Sequence, residues 1–505
     1  MRNGILSVLL GLMLSSSVQA QLDSVALRYA NTITVEELRD HLVTLSSDAF
    51  MGRDTGKDGQ KMAAAYLKKE IIGMGIPPVP AHDPGSIVDG YYQQYELIES
   101  RIGTIRVTGN GQELSFMKEL LYFSESLADA RTVSEVVYMG NGTTMAETKG
   151  LRGKVVMIDD PGAQDMAMMI ALRMSTDAAT KAGAEVLLIP TKRIEQLKAE
   201  LGHYATSSRM RLATDVPEKE KETRAQLILI DADAMEGMLG KWKLNKLSRR
   251  SPGKRVKVDM TIAKGESGQR VLAENVLAYI EGTDKKDELL VITAHYDHIG
   301  VENGVVYNGA DDDGTGTVAI LEIAEAFAMA KAEGHGPRRS VLVMPVSGEE
   351  KGLLGSSYYS DHPVFPLAST IANLNIDMIG RRDSSHMTSD PYIYVIGSDR
   401  LSTDLHVLDE NANSTYTKLD LDYTFNSEDD PNRFYYRSDH YNFAKKGVPS
   451  IFYFSGVHED YHQPTDDVEK ILFDLYHQRT LLVFHTAWLL ANATERPTVD
   501  KPLKP

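Results

Sequence analysis

Carboxylates and imidazoles gather at five places in the C-terminal half of the sequence. AHYDH supplies His295, Asp297 and His298, and GADDDGTG supplies Asp311, Asp312 and Asp313. VSGEE ends in Glu349 and Glu350, NLNIDMIG carries Asp377, and EDYHQPTDD brings Tyr461, His462, Asp466 and Asp467. The chain has no cysteine, so a metal site must be built from nitrogen and oxygen donors. Peptide hydrolysis at neutral pH needs a hydroxide and a stabilised oxyanion. Two metal ions about 3.5–4 Å apart can supply both while sharing one carboxylate. Each ion then needs two further protein ligands, and a free carboxylate must take the proton from water. Two His, three acidic ligands and one acidic base are the minimum, and the clusters hold that set.

The flanking segments must place these groups together. ELLVITAHYDHIG and SVLVMPVSGEE read as buried strands running into polar turns; IANLNIDMIG, PYIYVIGS and VPSIFYFSG read as three more strands. GTVAILEIAEAFAMAKAE reads as an amphipathic helix, GLLGSSYYSDH starts another, and LFDLYHQRTLLVFHTAWLLANA closes as a long one. Continuous apolar strands alternating with helices imply an α/β layered sheet covered on both faces. Functional groups in such sheets collect just past the carboxyl ends of the strands.

Each cluster alone is weak. A single His at a strand end is more often a hydrogen-bonded structural residue, and aspartates in a Gly-rich turn are at home in a solvated loop or helix cap. Asp377, inside an apolar strand, is harder to dismiss, because a buried carboxylate requires a cation or donors. The acid turn also has a calcium-loop spacing, with Asp311 and Asp313 at positions one and three, Gly316 at six and Glu322 at twelve. Against this, GVENGVVYNGA before it is not helical, Thr315 is a poor ligand at position five, and Glu322 fits a helix surface. Taken together, the strand-end positions favour one site.

The rest of the chain reads differently. MRNGILSVLLGLMLSSSVQAQ has the pattern of a secretory signal, cut after Ala20, which predicts an exported protein. VEELRDHLVTL and DGQKMAAAYLKKEIIGMG are helical, and IPPVPAHDPGS is a proline-rich loop. Between about 101 and 265, short strand-like runs (TIRVTG, SEVVYMG, GKVVMID, EVLLIP) and a helix around MSTDAATKAGA suggest a small α/β module of its own. Its segments EKEKETRAQ and LNKLSRRSPGKR read as solvated surface, and RPTVDKPLKP as a loose tail. The apolar share of 42% and charged share of 25% are ordinary for a globular protein. A net charge of −17 argues against a nucleic-acid partner. No later segment is apolar enough to span a membrane, and oligomeric state is not legible.

The ordered series AHYDH, GADDDGTG, SGEEKGLLGS, NIDMIG, RSDH and YHQPTDD resembles the M28 family of two-zinc peptidases. The resemblance runs from about residue 270 onward and takes in the helical segment at 35–75. The module between, with GKVVMIDDPG and KAGAEVLLIP, resembles more weakly the protease-associated insert of many members. The implied fold is a three-layer αβα sandwich with a mixed, mainly parallel central sheet and an inserted small α/β domain. The implied parts are a signal at 1–20, peptidase segments at 21–100 and 266–495, an insert at 101–265 and a tail at 496–505. The implied cofactors are two Zn²⁺, with Asp312 bridging, His295 and Asp377 completing one ion's ligands, and Glu350 and His462 the other's. Glu349 would be the general base for water activated between the ions. Asp297 would fix the orientation of His295, and Tyr435, with Tyr436 next to it, would hydrogen-bond the oxyanion. The Asp312–Asp313 peptide would be cis.

The resemblance implies peptide substrates cleaved at the N-terminal bond. The acids of LDYTFNSEDDPNRFYYRSDH lean toward capture of a free amine, while Arg433 and Arg437 keep a carboxypeptidase or dipeptidase open. A single-zinc cyclase is disfavoured by the full ligand set, and an exported α/β binding module remains the non-enzyme alternative. Pro345, where relatives carry an aromatic-Ser run, predicts a bulge in its strand.

Overall fold

The computed structural model describes residues 22–80, 87–101, 105–122, 130–163, 165–206, 208–214, 224–264 and 269–502. The signal-type segment lies outside the described residues. The chain forms two compact units, Met1–Gln94 with Glu274–Pro505, and Tyr95–Ala273. Both are mixed α/β. Among the described residues, no helix is long and apolar enough to cross a membrane.

The first unit is built on a seven-stranded mixed sheet. Its order is Ala278–Ile280, Arg339–Val346, Lys285–His295, Thr370–Ile376, Ser450–Phe454, Tyr392–Ile396 and Asp420–Asp422. The four strands from Arg339–Val346 to Ser450–Phe454 run parallel, so their carboxyl ends open on one edge. Ala278–Ile280 and Tyr392–Ile396 are antiparallel to their inner neighbours. The strands have apolar residues on both faces because both faces are covered. Leu290, Ile292 and Ala294 enter a core shared with the helices Val35–Leu45, Asp58–Gly73, Gly316–Ala332 and Phe473–Asn492. Leu289 and Val291, on the alternate positions, enter a second core with Tyr359 and Phe443. Thr34 caps the helix Val35–Leu45: its hydroxyl accepts from the Glu37 amide at 3.1 Å and donates to the Glu37 carboxylate at 2.7 Å.

Three expectations are corrected. The helix Gly316–Ala332 is buried nearly all round rather than amphipathic, and Glu322 is 1% exposed, with its carboxylate 3.4 Å from His41 Nε2. Pro345 causes no bulge. The register with Lys285–His295 runs unbroken through it, and on the other flank pairing stops at Val343, so no ladder partner lies beyond that point. The tail is pinned where it is described: the Thr498 amide donates to Asp404 at 3.0 Å, and Asp500 accepts from the Thr403 amide at 2.9 Å.

The second unit holds an eight-stranded mixed sheet running from Gln112–Ser115 through Ile105–Gly109, Lys254–Lys264, Arg131–Tyr138, Val155–Met157, Val186–Thr191 and Gln226–Asp231 to Leu120–Tyr122. Leu172, Leu197 and Leu201 of the helices Asp165–Lys181 and Ile194–Thr206 belong to one of its cores. Met235, Met238 and Leu247 of Ala232–Met238 and Leu244–Leu247 belong to the other.

Candidate metal centre

Four ends of the first unit's sheet meet at one place. His295 closes the strand Lys285–His295. Its Nδ1–H donates to the Asp297 carbonyl at 3.0 Å, which turns Nε2 toward the acids. Nε2 lies 3.3 Å from Asp312 Oδ1, 3.6 Å from Asp377 Oδ1 and 3.9 Å from Glu349 Oε2. On the other side of Asp312, Oδ2 lies 3.1 Å from His462 Nε2, which is itself 3.3 Å from Glu350 Oε2.

The acid turn is held from several sides. Asp466 accepts the amides of Asp311 and Asp312 at 3.1 Å. Asp313 accepts the His295 amide at 3.2 Å with one oxygen and the Gly316 and Met378 amides at 2.9 Å with the other. The Asp312–Asp313 peptide is cis. Gly309 enters the turn at φ +54°, where an added Cβ would run into the His298 ring and the Asp312 carbonyl. Arg53 is fully buried, and its guanidinium donates to the carbonyls of Leu45, Tyr296, Asn308 and Gly309, tying the AHYDH turn to the acid turn. Burial pushes Arg53 down to about 10. Asp311 gives Oδ1 to the Gly380 amide and the Thr315 hydroxyl, and Glu322 lies against His41, so the first and twelfth positions of the calcium-loop spacing do not face one cation.

Four carboxylates (Asp312, Glu349, Glu350 and Asp377) converge here in near-complete burial. Burial pushes the Glu349 carboxyl well above its usual range. Burial also pulls the His462 imidazole down, but Asp312 and Glu350 outweigh it and hold it up at about 10. Glu350 is held down at about 2 by His298 and His462 against burial and the Asp312 charge. Asp312 Oδ2, Glu350 Oε1 and both His298 nitrogens are buried without a well-aligned hydrogen-bond partner. Carboxylates this close need protons or cations among them. Each side of Asp312 offers an imidazole nitrogen and two carboxylate oxygens, a donor set that suits zinc. Ligand atoms of His295, Glu349 and Asp377 lie within 4.8 Å of one another, as do those of His298, Asp312 and Glu350. His298 therefore competes with His462 for a ligand role. The closest His298 approach, Nδ1 to Glu350 at 2.9 Å, is to Oε1, whereas His462 faces Oε2.

The supporting residues sort as follows. Asp297 is fully buried and accepts from the Thr55 hydroxyl at 2.6 Å and the Glu349 amide at 3.2 Å. Its carboxylate stays 3.8 Å from His295 Nδ1, so its own carbonyl, not its side chain, orients the ring. Asp377 accepts from the Ser438 hydroxyl at 2.6 Å, which gives the SDH triplet a place in the site. The structure does not bring Tyr435 to this cluster. Its ring lies 4.5 Å from the Arg400 guanidinium and lines a separate cavity with Tyr436. Tyr461 stands at the cluster instead. Its ring stacks on His462 at 3.9 Å, and burial together with Asp312, Glu350, Asp377 and Glu349 raises its phenol. Its adjacency to His462 in the YHQP run was the available signal.

An open pocket leads from Asp312, Glu349 and Asp377, with Phe434, Phe454 and Arg437 among its walls. The acids of the 421–440 loop do not line it. Asp430, for one, is turned back to cap the Phe434 amide at 3.0 Å.

Residues 275–487 match the model of peptidase family M28. The chain is 27% identical over 275 residues to a probable zinc metalloprotease of Pyrenophora tritici-repentis, covering 46% of this chain and 54% of that protein. It is 26% identical over 228 residues to an aminopeptidase of Bacillus subtilis, covering 44% and 45%. The chain thus spans about half the length of these curated relatives. Its fold is similar to that of an aminopeptidase from Aneurinibacillus sp. strain AM-1, with a TM-score of 0.53 at 18% identity over 95% of this chain and 98% of that one. It is also similar to a zinc aminopeptidase from Bacillus subtilis, with a TM-score of 0.52 at 18% identity over 94% and 99%. With the acid and imidazole clusters converging inside the matched span, residues 275–487 of this chain are a peptidase family M28 domain.

Proposed function

We propose that the protein is an exported zinc exopeptidase that hydrolyses the N-terminal peptide bond of peptides. The observation that carries this reading is Asp312: its two oxygens face two different imidazoles, His295 and His462. His295, Asp312 and Asp377 would hold one Zn²⁺, and Asp312, Glu350 and His462 a second. Bound there, the ions would supply Lewis-acid polarisation and a water ionised near neutral pH. Glu349 takes the proton from the attacking water at a carboxylate oxygen and returns it to the leaving amine. Burial raises its affinity for that proton. Asp297 holds the Glu349 backbone, and the Tyr461 hydroxyl donates to the developing oxyanion. The three-layer sandwich, the protease-associated character of Tyr95–Ala273 and export directed by residues 1–20 belong to the same reading.

The fold likeness to zinc aminopeptidases and the match to the Bacillus subtilis aminopeptidase support action at a free amine. Arg437 favours a second reading, a carboxypeptidase or dipeptidase. It is exposed on the cavity wall, 4.9 Å from the Phe434 ring, where a guanidinium can bind a substrate carboxylate. The test is zinc analysis of the purified chain together with hydrolysis of an aminoacyl chromogenic amide, its N-acetyl form and an N-blocked peptide with a free C-terminus. Two zinc per chain and cleavage of the free-amine substrate alone support the aminopeptidase. Cleavage of the N-blocked peptide moves the assignment to the carboxypeptidase. No metal and no hydrolysis would end both.

A further inference from the structure

The segment KWKLNKLSRRSPGKRVK, residues 241–257, holds eight Lys or Arg and no acid, in a chain of net charge −17. It lies wholly within the second unit. Trp242 is the focus. One part of its ring packs on the core that contains Leu247, Val256 and Met260, and the ring remains half-buried. Arg250 lies 5.8 Å and Lys254 5.2 Å from the ring centroid. Lys241, Arg255 and Lys257 share an open pocket with Trp242, and Asp259 is the one carboxylate on its wall. Arg255 is paired with Glu135 and Lys243 with Glu236, both at 2.9 Å. Among the described residues, Lys241, Arg250, Lys254 and Lys257 have no carboxylate at ion-pair distance. Uncompensated like charges gathered on one aromatic ring repel one another, and an anion in the cavity removes that cost.

The geometry points to a binding site for an acidic glycan, sugar rings carrying carboxylate or sulfate, on the second unit of this chain. The anchored indole offers an apolar platform for the C–H face of a sugar ring, and the surrounding cations take its anionic groups. Two other polyanions fit less well. A bilayer needs apolar side chains that protrude, and here Leu247, Val256 and Met260 are buried. Single-stranded nucleic acid uses a row of stacking rings, and this patch has one.

The full-length chain can be titrated with heparin, polygalacturonate and neutral dextran, read by tryptophan fluorescence and calorimetry. Trp242 reports the site directly, because the only other tryptophan, Trp488, is 3% exposed. Both acidic polymers should bind, more weakly as salt rises, and dextran should not. The exposed-residue variant Lys241→Glu/Arg250→Glu/Lys257→Glu should bind them at least about tenfold more weakly with unchanged hydrolysis of a small amide. Equal binding by that variant, binding of dextran, or no binding of either acidic polymer overturns the assignment. So does tighter binding of phosphatidylglycerol vesicles or single-stranded DNA than of either glycan.

Discussion

The main-chain amide of Glu349 donates to the Asp297 carboxylate across 3.2 Å, while the Thr55 hydroxyl donates to its other oxygen at 2.6 Å. Asp297 therefore sets the start of the turn that presents the proposed base, and it does so from full burial. Asp297→Asn keeps one acceptor and sets an NH₂ group against one of these two donors. Only the Thr55 hydroxyl can rotate to accept it, so the variant folds with a less firmly held Glu349 turn. The expected result is kcat lowered about 10–100-fold with zinc retained. Steady-state kinetics beside metal analysis checks it; loss of zinc in step with activity would instead make Asp297 a determinant of metal binding.

Glu349 and Glu350 are neighbours with different surroundings. Glu350 sits between His298 and His462, whereas Glu349 reaches toward His295 at 3.9 Å. Glu349→Gln should keep zinc and lose about 10²–10⁴ in kcat. Glu350→Gln should weaken one zinc first, read as a fall from two ions toward one on dialysis. Identical behaviour of the two variants would refute the division of labour.

The parallel strands and the metal-type donors were legible in the sequence, because apolar runs ending in His, Asp or Glu carry their signal locally. What was not legible depends on contacts between distant segments. Arg53 reads as an unremarkable turn residue until its guanidinium is seen to bridge carbonyls at 45, 296, 308 and 309. Tyr435 and Tyr461 are both tyrosines near motif residues, and only the packing of the 434–437 turn on Arg400 separates them. Glu322 reads as a surface residue because its helix reads as amphipathic, yet the helix is buried nearly all round and Glu322 with it. The acids of the 421–440 loop suggested an amine pocket, but loop conformation turns Asp430 back onto the loop itself.

The Tyr461 ring lies stacked on His462, whereas Tyr435 lines another cavity. Tyr461→Phe removes only the hydroxyl and keeps the stack. It should lower kcat about 10²–10³-fold with little change in KM, as expected for a lost oxyanion donor. Tyr435→Phe should stay within a few-fold of the parent. The reverse order would restore the expectation read from the sequence.

His298 and His462 approach opposite oxygens of Glu350. If His462 is the ligand and His298 a hydrogen-bond partner of Glu350, their losses differ in degree. His298→Gln should weaken zinc affinity about 10–100-fold, and His462→Ala should abolish stable binding of one ion. Competition with a chromogenic chelator measures both. A larger loss in His298→Gln would exchange their roles.

Glu322 supplies a pH prediction away from the metal ligands. Burial, with Glu325 and Glu37 nearby, pushes its carboxyl up to about 8 from 4.5. It faces His41, which burial holds below its usual value and whose Nδ1 is hydrogen-bonded to the Tyr66 hydroxyl. Between these limits the folded state holds a proton that the unfolded chain has released. The stability from the protonated form is therefore complete below about pH 4.5, and it is lost as pH rises through about 8. The amount is on the order of a few kcal/mol. Glu322→Gln keeps the neutral shape and removes the titration. Its melting temperature should match the parent near pH 5 and exceed it near pH 9, measured with zinc present throughout. A parent and variant that melt together at both values would show that the Glu322 carboxyl is not raised in the folded protein.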